Sequence, residues 1–151
     1  MHTLSRNFLI VSILLFLPFF LISSTEKIFA DTKKISNLEK KVQLIISTQI
    51  NAFQNFDTEK AYSFASPFIK SKFSNADKFG SMVKSAYPMI WEPKEFKFLE
   101  FTLFNESLIQ RVLFIDKNER IFIFDYEIKN YGQYGWLING VYQVKKTSSG
   151  A

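Results

Sequence analysis

The spacing of apolar positions changes once along this chain, near Pro93. Upstream, apolar residues recur at helical intervals. Ile35, Leu38, Val42, Ile45, Gln49 and Phe53 fall on one stripe, while Lys40 and Lys41 point away from it. Ser36-Asn37-Leu38-Glu39 fits a capping box, in which each end residue satisfies the other's free amide. The spacing therefore predicts an amphipathic helix over 36–54. Asp57 then stands where an N-cap belongs, flanked by Phe56 and Ala61 at the hydrophobic-staple positions. Ser66-Pro67 repeats the device, since proline suits a first helical turn and the serine can cap it. A third helix starts at Ser74-Asn75, and its stripe of Phe79, Met82, Val83, Ala86 and Tyr87 stops before Pro88.

Downstream the period becomes two. FKFLEFTLF (96–104), LIQRVLFID (108–116), IFIFDYEIK (121–129) and the run 136–144 are separated by short polar or glycine-containing turns. Asn118, which tolerates a left-handed conformation, is expected to make the second of these turns. Four consecutive strands make an antiparallel meander, and strands following helices define an α+β domain with its helices on one face of a curved four-stranded sheet. In the third strand Phe122, Phe124, Tyr126 and Ile128 share an apolar face, and Ile121, Ile123, Asp125 and Glu127 share a mixed one. Apolar residues on both sides of strands two and three suggest a covered outer face, hence a homodimer.

The amino terminus determines the compartment. Arg6 precedes an apolar run from Phe8 to Ile22, and a polar stretch ends at Ile28-Phe29-Ala30. A run of about 15 apolar residues fits a secretory signal peptide better than a spanning helix of about 20. The expected layout is a leader over 1–30, one domain over 31–146 and a disordered tail over 147–151. Export to the periplasm or beyond follows, with an uncleaved amino-terminal anchor as the alternative. No later segment is long and apolar enough to span a bilayer.

Composition then excludes several chemistries. The chain has no cysteine, and its single histidine, His2, lies in the leader. Thiol nucleophiles, histidine-based triads and nearly all zinc sites are thereby ruled out, and no phosphate-binding or dinucleotide fingerprint is present. No metal or cofactor is expected. Beyond position 30 there are 17 basic and 13 acidic residues, a balance of +4 with the lysines scattered. Clustered cations with exposed aromatics would be needed for nucleic acid, so none is expected as a partner. Asp57 reads as helix punctuation rather than as a catalytic acid.

The run A-F-x-x-x-D-x-x-x-A-x-x-F-A-S-P (52–67), with F-G-x-M-V-x-x-x-Y-P-M-I-W-x-P (79–93), Q-R-V (110–112), D-Y (125–126) and W-x-I-N-G-V (136–141), resembles domain-of-unknown-function family 4864. Its members look like exported proteins of Gram-negative bacteria. The resemblance brings no catalytic positions with it. Here Asn118-Glu119 stands in place of a glycine-containing turn, and Leu137 in place of an arginine. The element order also resembles the nuclear transport factor 2-like cone, in which helices and a curved sheet enclose a pocket. Such a pocket would be lined by Tyr87, Trp91, Gln110, Tyr126 and Trp136, the aromatics receiving a small apolar or amphipathic ligand and Gln110 orienting it. The same five residues also read as ordinary core with satisfied polar tips. Three functional classes follow: a non-enzymatic small-molecule- or peptide-binding protein of the envelope, a dimeric interaction module using the outer face, or a histidine-free isomerase or lyase using Asp125 and tyrosine.

Overall fold

A computed structural model describes residues 17–145, and side chains from Glu26 onward. The predicted tail lies outside these residues, as does the first half of the predicted leader. The chain divides into two compact units at Leu38 and Glu39. Helix α1 spans Leu17–Gln54, so Ser36 lies in its interior and not at a cap. The expected start at 36 is therefore wrong. Residues 26–34 include Glu26, Lys27, Ala30, Lys33 and Lys34, which carry a helix without needing a stop signal. Ile35 is exposed, and full burial of the stripe begins only at Val42. No helix among the described residues is long and apolar enough to cross a membrane.

The second unit, from Glu39 onward, holds every other element. Helix α1 ends with Phe56 in the left-handed region at φ 57°, while the Asp57 amide reaches back to the Ala52 carbonyl at 2.9 Å. Three short helices and one longer helix follow: α2 (Thr58–Ser63), α3 (Pro67–Lys70), α4 (Ala76–Ala86) and α5 (Pro88–Trp91). Their starts are the caps expected from sequence. Asp57 accepts from the Lys60 amide, Ser66 from the Ile69 amide and Asn75 from the Lys78 amide. Helix α5, which the sequence reading missed, restarts on Pro88 at its first turn.

The sheet is a β1-β2-β3-β4 antiparallel meander: β1 (Glu95–Phe104), β2 (Ser107–Ile115), β3 (Ile121–Asn130) and β4 (Trp136–Gln143). The first hairpin turns through Asn105 and Glu106, both at positive φ, as a right-twisting two-residue turn requires. In the second hairpin the left-handed residue is Glu119 (φ 62°) and not Asn118. Asp116 explains the difference. Its carboxylate accepts from the Asn118 and Arg120 amides at 2.8 and 2.9 Å and from the Arg120 guanidinium at 2.7 Å, fixing the turn from its first residue.

Two irregularities bend the sheet. In β1, two residues (Leu99, Glu100) oppose one in β2, and in β4 the ladder shifts at Asn139. The inner face presents Leu108, Gln110, Val112 and Phe114 from β2, and Phe124, Tyr126 and Ile128 from β3, all buried. Buried Val42, Ile46, Ile50 and Phe53 of α1 belong to the same core, and Gln43 donates to Gln110 at 3.3 Å. The free edge of β4 is partly covered, because Ala65 pairs with Ile138 in parallel.

Candidate functional site

Within the second unit lies a cavity of about 230 Å³. Its wall draws on α1 (Gln49, Phe53), the α3 region (Phe68, Lys72) and α4 (Met82, Val83), and it is closed by Tyr87, Tyr126 and residues 138–142 of β4. The elements reach it for local reasons. The Ser66 hydroxyl caps α3 and also donates to the Asn139 side-chain oxygen at 3.2 Å, which anchors α3 beside β4. Gln49 is buried and donates to the Ala61 carbonyl at 3.1 Å, which ties α1 to α2. The Phe53 ring sits 5.2 Å from Trp91 and 5.9 Å from Phe79, so α1, α4 and α5 share one aromatic cluster.

The five residues singled out from sequence separate into two groups. Tyr87 and Tyr126 lie in the cavity wall; Trp91, Gln110 and Trp136 do not. Trp91 is buried against Phe53 behind the wall. Trp136 is half-buried at the start of β4. Gln110 faces the core but serves the β1 bulge, its amide shared among the Leu99, Glu100 and Arg111 carbonyls at 3.0–3.3 Å. A bulge leaves carbonyls without ladder partners, and a buried amide opposite them supplies the missing donors.

Tyr126 is the unusual member of the wall. It is wholly buried, and its hydroxyl alone among the described side-chain polar atoms is buried without a hydrogen-bond partner. Burial raises its pKa far above the ordinary phenol value, so the group remains a neutral donor. An unpaired buried hydroxyl costs about 1–3 kcal/mol relative to a paired one. Replacing Tyr126 with phenylalanine is therefore expected to leave the empty protein equally or more stable, shifting its thermal midpoint upward by up to a few degrees. Differential scanning calorimetry of the two proteins tests this, and a clear loss of stability in the variant would contradict it.

The wall contains no carboxylate among the described residues. Asp125 lies on the opposite face of β3, held by the Arg111 guanidinium through two bonds of 2.8 and 2.9 Å, with Glu100 completing the group at 3.2 Å. The Asp125–tyrosine couple of the isomerase reading is thus not assembled at the cavity. Nor is the outer face one apolar surface. Ile121 at one end is exposed, as is Phe104 at the other, with the Glu100–Arg111–Asp125 group between them. No cluster of three metal-ligating side chains occurs among the described residues.

A polar network backs the β4 side of the cavity. Glu127 accepts from Ser107 (2.8 Å), Asn139 (2.8 Å) and Tyr142 (3.3 Å), and pairs with Lys129 at 3.2 Å; Tyr131 donates to Asn139 at 2.7 Å. Burial alone would raise the Glu127 pKa, but the bonds from Asn139, Ser107 and Lys129 outweigh it and hold the carboxyl below its usual 4.5. A carboxyl lowered on folding stabilises the protein fully above its unfolded pKa, and this contribution fades as pH falls through the lower folded value. Urea midpoints measured from pH 6 to pH 3 should therefore fall, and Glu127→Gln should make the decline shallower. An unchanged decline in the variant would show that Glu127 is not part of the cause.

A helix-then-meander α+β domain with a small apolar cavity between its helices and sheet is the class these features define. The chain belongs to the family described as Domain of unknown function (DUF4864), whose model matches residues 36–151. No curated protein and no solved structure matches it.

The sequence reading missed Lys72, Phe68 and the 139–142 stretch as parts of the site. Phe68 and Lys72 are four residues apart after the Ser66-Pro67 cap, a spacing that places them together one turn on. That spacing was the available signal for this part of the wall.

Proposed function

We propose that this protein is an exported, non-enzymatic binding domain of the bacterial envelope, and that its ligand is a small, mainly apolar molecule held in the Tyr87–Tyr126 cavity. The observation that carries this reading is the cavity itself, lined mainly by apolar side chains, with the unpartnered Tyr126 hydroxyl buried behind its wall. Native interiors rarely leave such a group unpaired. The leader-like pattern before residue 31 supports export. The order of helices and bulged meander is in keeping with the nuclear transport factor 2-like cone, a fold that encloses a pocket.

The volume limits the ligand. About 230 Å³ lies below the roughly 300–1,000 Å³ of sites for drug-sized molecules. It corresponds to about eight units of water size at ~30 Å³ each, hence a short chain or a single ring. Titration of 1-octanol into ¹⁵N-labelled protein is expected to shift the amides of Val83, Gly140 and Val141 saturably. Met82→Trp, which adds bulk at a half-buried wall position, should abolish those shifts while the remaining spectrum stays folded. Shifts scattered over the surface, or unaffected by Met82→Trp, would overturn the assignment.

A further inference from the structure

The charge and remaining hydrogen-bonding capacity of the wall say more about the ligand's chemistry. Most polar groups there are already committed. The Asn139 oxygen accepts from Ser66 and Tyr131 and its nitrogen donates to Glu127; Tyr142 donates to Glu127; the Gln49 amide nitrogen donates to Ala61. Three donors remain. Two are hydroxyls, that of Tyr126 in the interior and that of half-buried Tyr87. The third is the ammonium of Lys72, the only charged side chain in the wall among the described residues, which stands 4.3 Å from the centre of the Phe68 ring. Lys72 itself is exposed, so it belongs to the mouth of the cavity and not to its floor. No salt bridge engages Lys72 among the described residues, whereas Lys94, Lys97, Lys117 and Lys129 each have an acidic partner. Phe68 beneath it is half exposed and offers the cation an apolar, ring-faced setting.

Resting on the cavity-binding reading above, we propose that the ligand is an anionic amphiphile: a short-chain carboxylic acid, with its apolar body in the cavity and its carboxylate on the Lys72 ammonium. An apolar wall with a cation only at the rim allows the charge to remain partly hydrated, which avoids the heavy cost of burying an unpaired carboxylate. A purely apolar ligand would leave the Lys72 position unused. A cationic one would be repelled, because no carboxylate in the wall opposes Lys72.

Octanoate and 1-octanol form a matched pair of probes, alike in chain length and different in charge. The neutral alcohol is the more readily transferred from water, so any preference for the acid has to come from the protein. Calorimetric titration of the full chain at pH 7 and low salt is expected to give octanoate about fivefold the affinity of octanol, the scale of a partly exposed ion pair. Lys72→Gln should bring the ratio to one or below by weakening octanoate alone, while Lys72→Arg keeps the preference. Raising the salt to about 0.5 M should also shrink the preference. Equal binding of both probes by the native protein would overturn the acid assignment and leave the cavity reading standing. A preference that survives Lys72→Gln would likewise overturn the role of Lys72. Binding of neither probe would overturn both readings.

Discussion

Replacing Phe53 with alanine is expected to lower the unfolding free energy by about 3–5 kcal/mol, the range for deleting a buried aromatic ring. Phe53 is 1% exposed and packs against both α4 and α5. Its ring lies 5.2 Å from Trp91 and 5.9 Å from Phe79, and it also forms part of the cavity wall. Removing the ring therefore enlarges a void that already exists, and the neighbours cannot collapse into it without breaking the cluster that joins α1 to α4 and α5. A domain of this size has a total stability of about 5–15 kcal/mol, so the variant should be marginal near 37 °C. Urea denaturation followed by circular dichroism gives the difference directly. A loss below about 1 kcal/mol would mean that the α1–α4–α5 cluster does not hold the domain together.

Gln110→Leu is expected to have the second largest effect, a loss of about 2–3 kcal/mol despite nearly equal side-chain volume. The new side chain fits the space but cannot donate to the bulge. The carbonyls of Leu99, Glu100 and Arg111 would lose the amide they share, and Gln43 its acceptor. Strand β1 is an edge strand, so a freed bulge can open towards water without unfolding the whole sheet. Hydrogen exchange should accordingly quicken in β1 near residues 99–101 more than in β3. Uniform acceleration across the sheet, or unchanged stability, would contradict the role given to Gln110.

These two residues also show how far the sequence could be read. The meander is legible because four runs rich in β-branched and aromatic residues are separated by short polar turns, and the helix starts at Asp57, Ser66 and Asn75 carry their own capping chemistry. The upstream extent of α1 was not legible, since Ser36 to Glu39 makes a good capping box that a continuous helix simply passes through. Gln110 looked like a ligand-orienting amide because a buried glutamine on an apolar face suggests recognition. The need it meets, two opposed bulge carbonyls, arises from strand register and has no mark in the sequence of β1. Tyr87 and Tyr126 were found because strand period and helix stripe place them inward. Lys72 was not, because an isolated lysine after a short helix reads as solvated surface until the fold sets it at the mouth of a cavity.

The Tyr126 cavity is, on the reading proposed above, a binding site and not a packing defect. Its most direct test is a high-resolution crystal structure of the protein saturated with octanoate. Density is expected for the alkyl chain between Phe53, Val83 and Tyr87, with the carboxylate at the Lys72 ammonium. A cavity filled by its own side chains, with octanoate only on the surface, would contradict it.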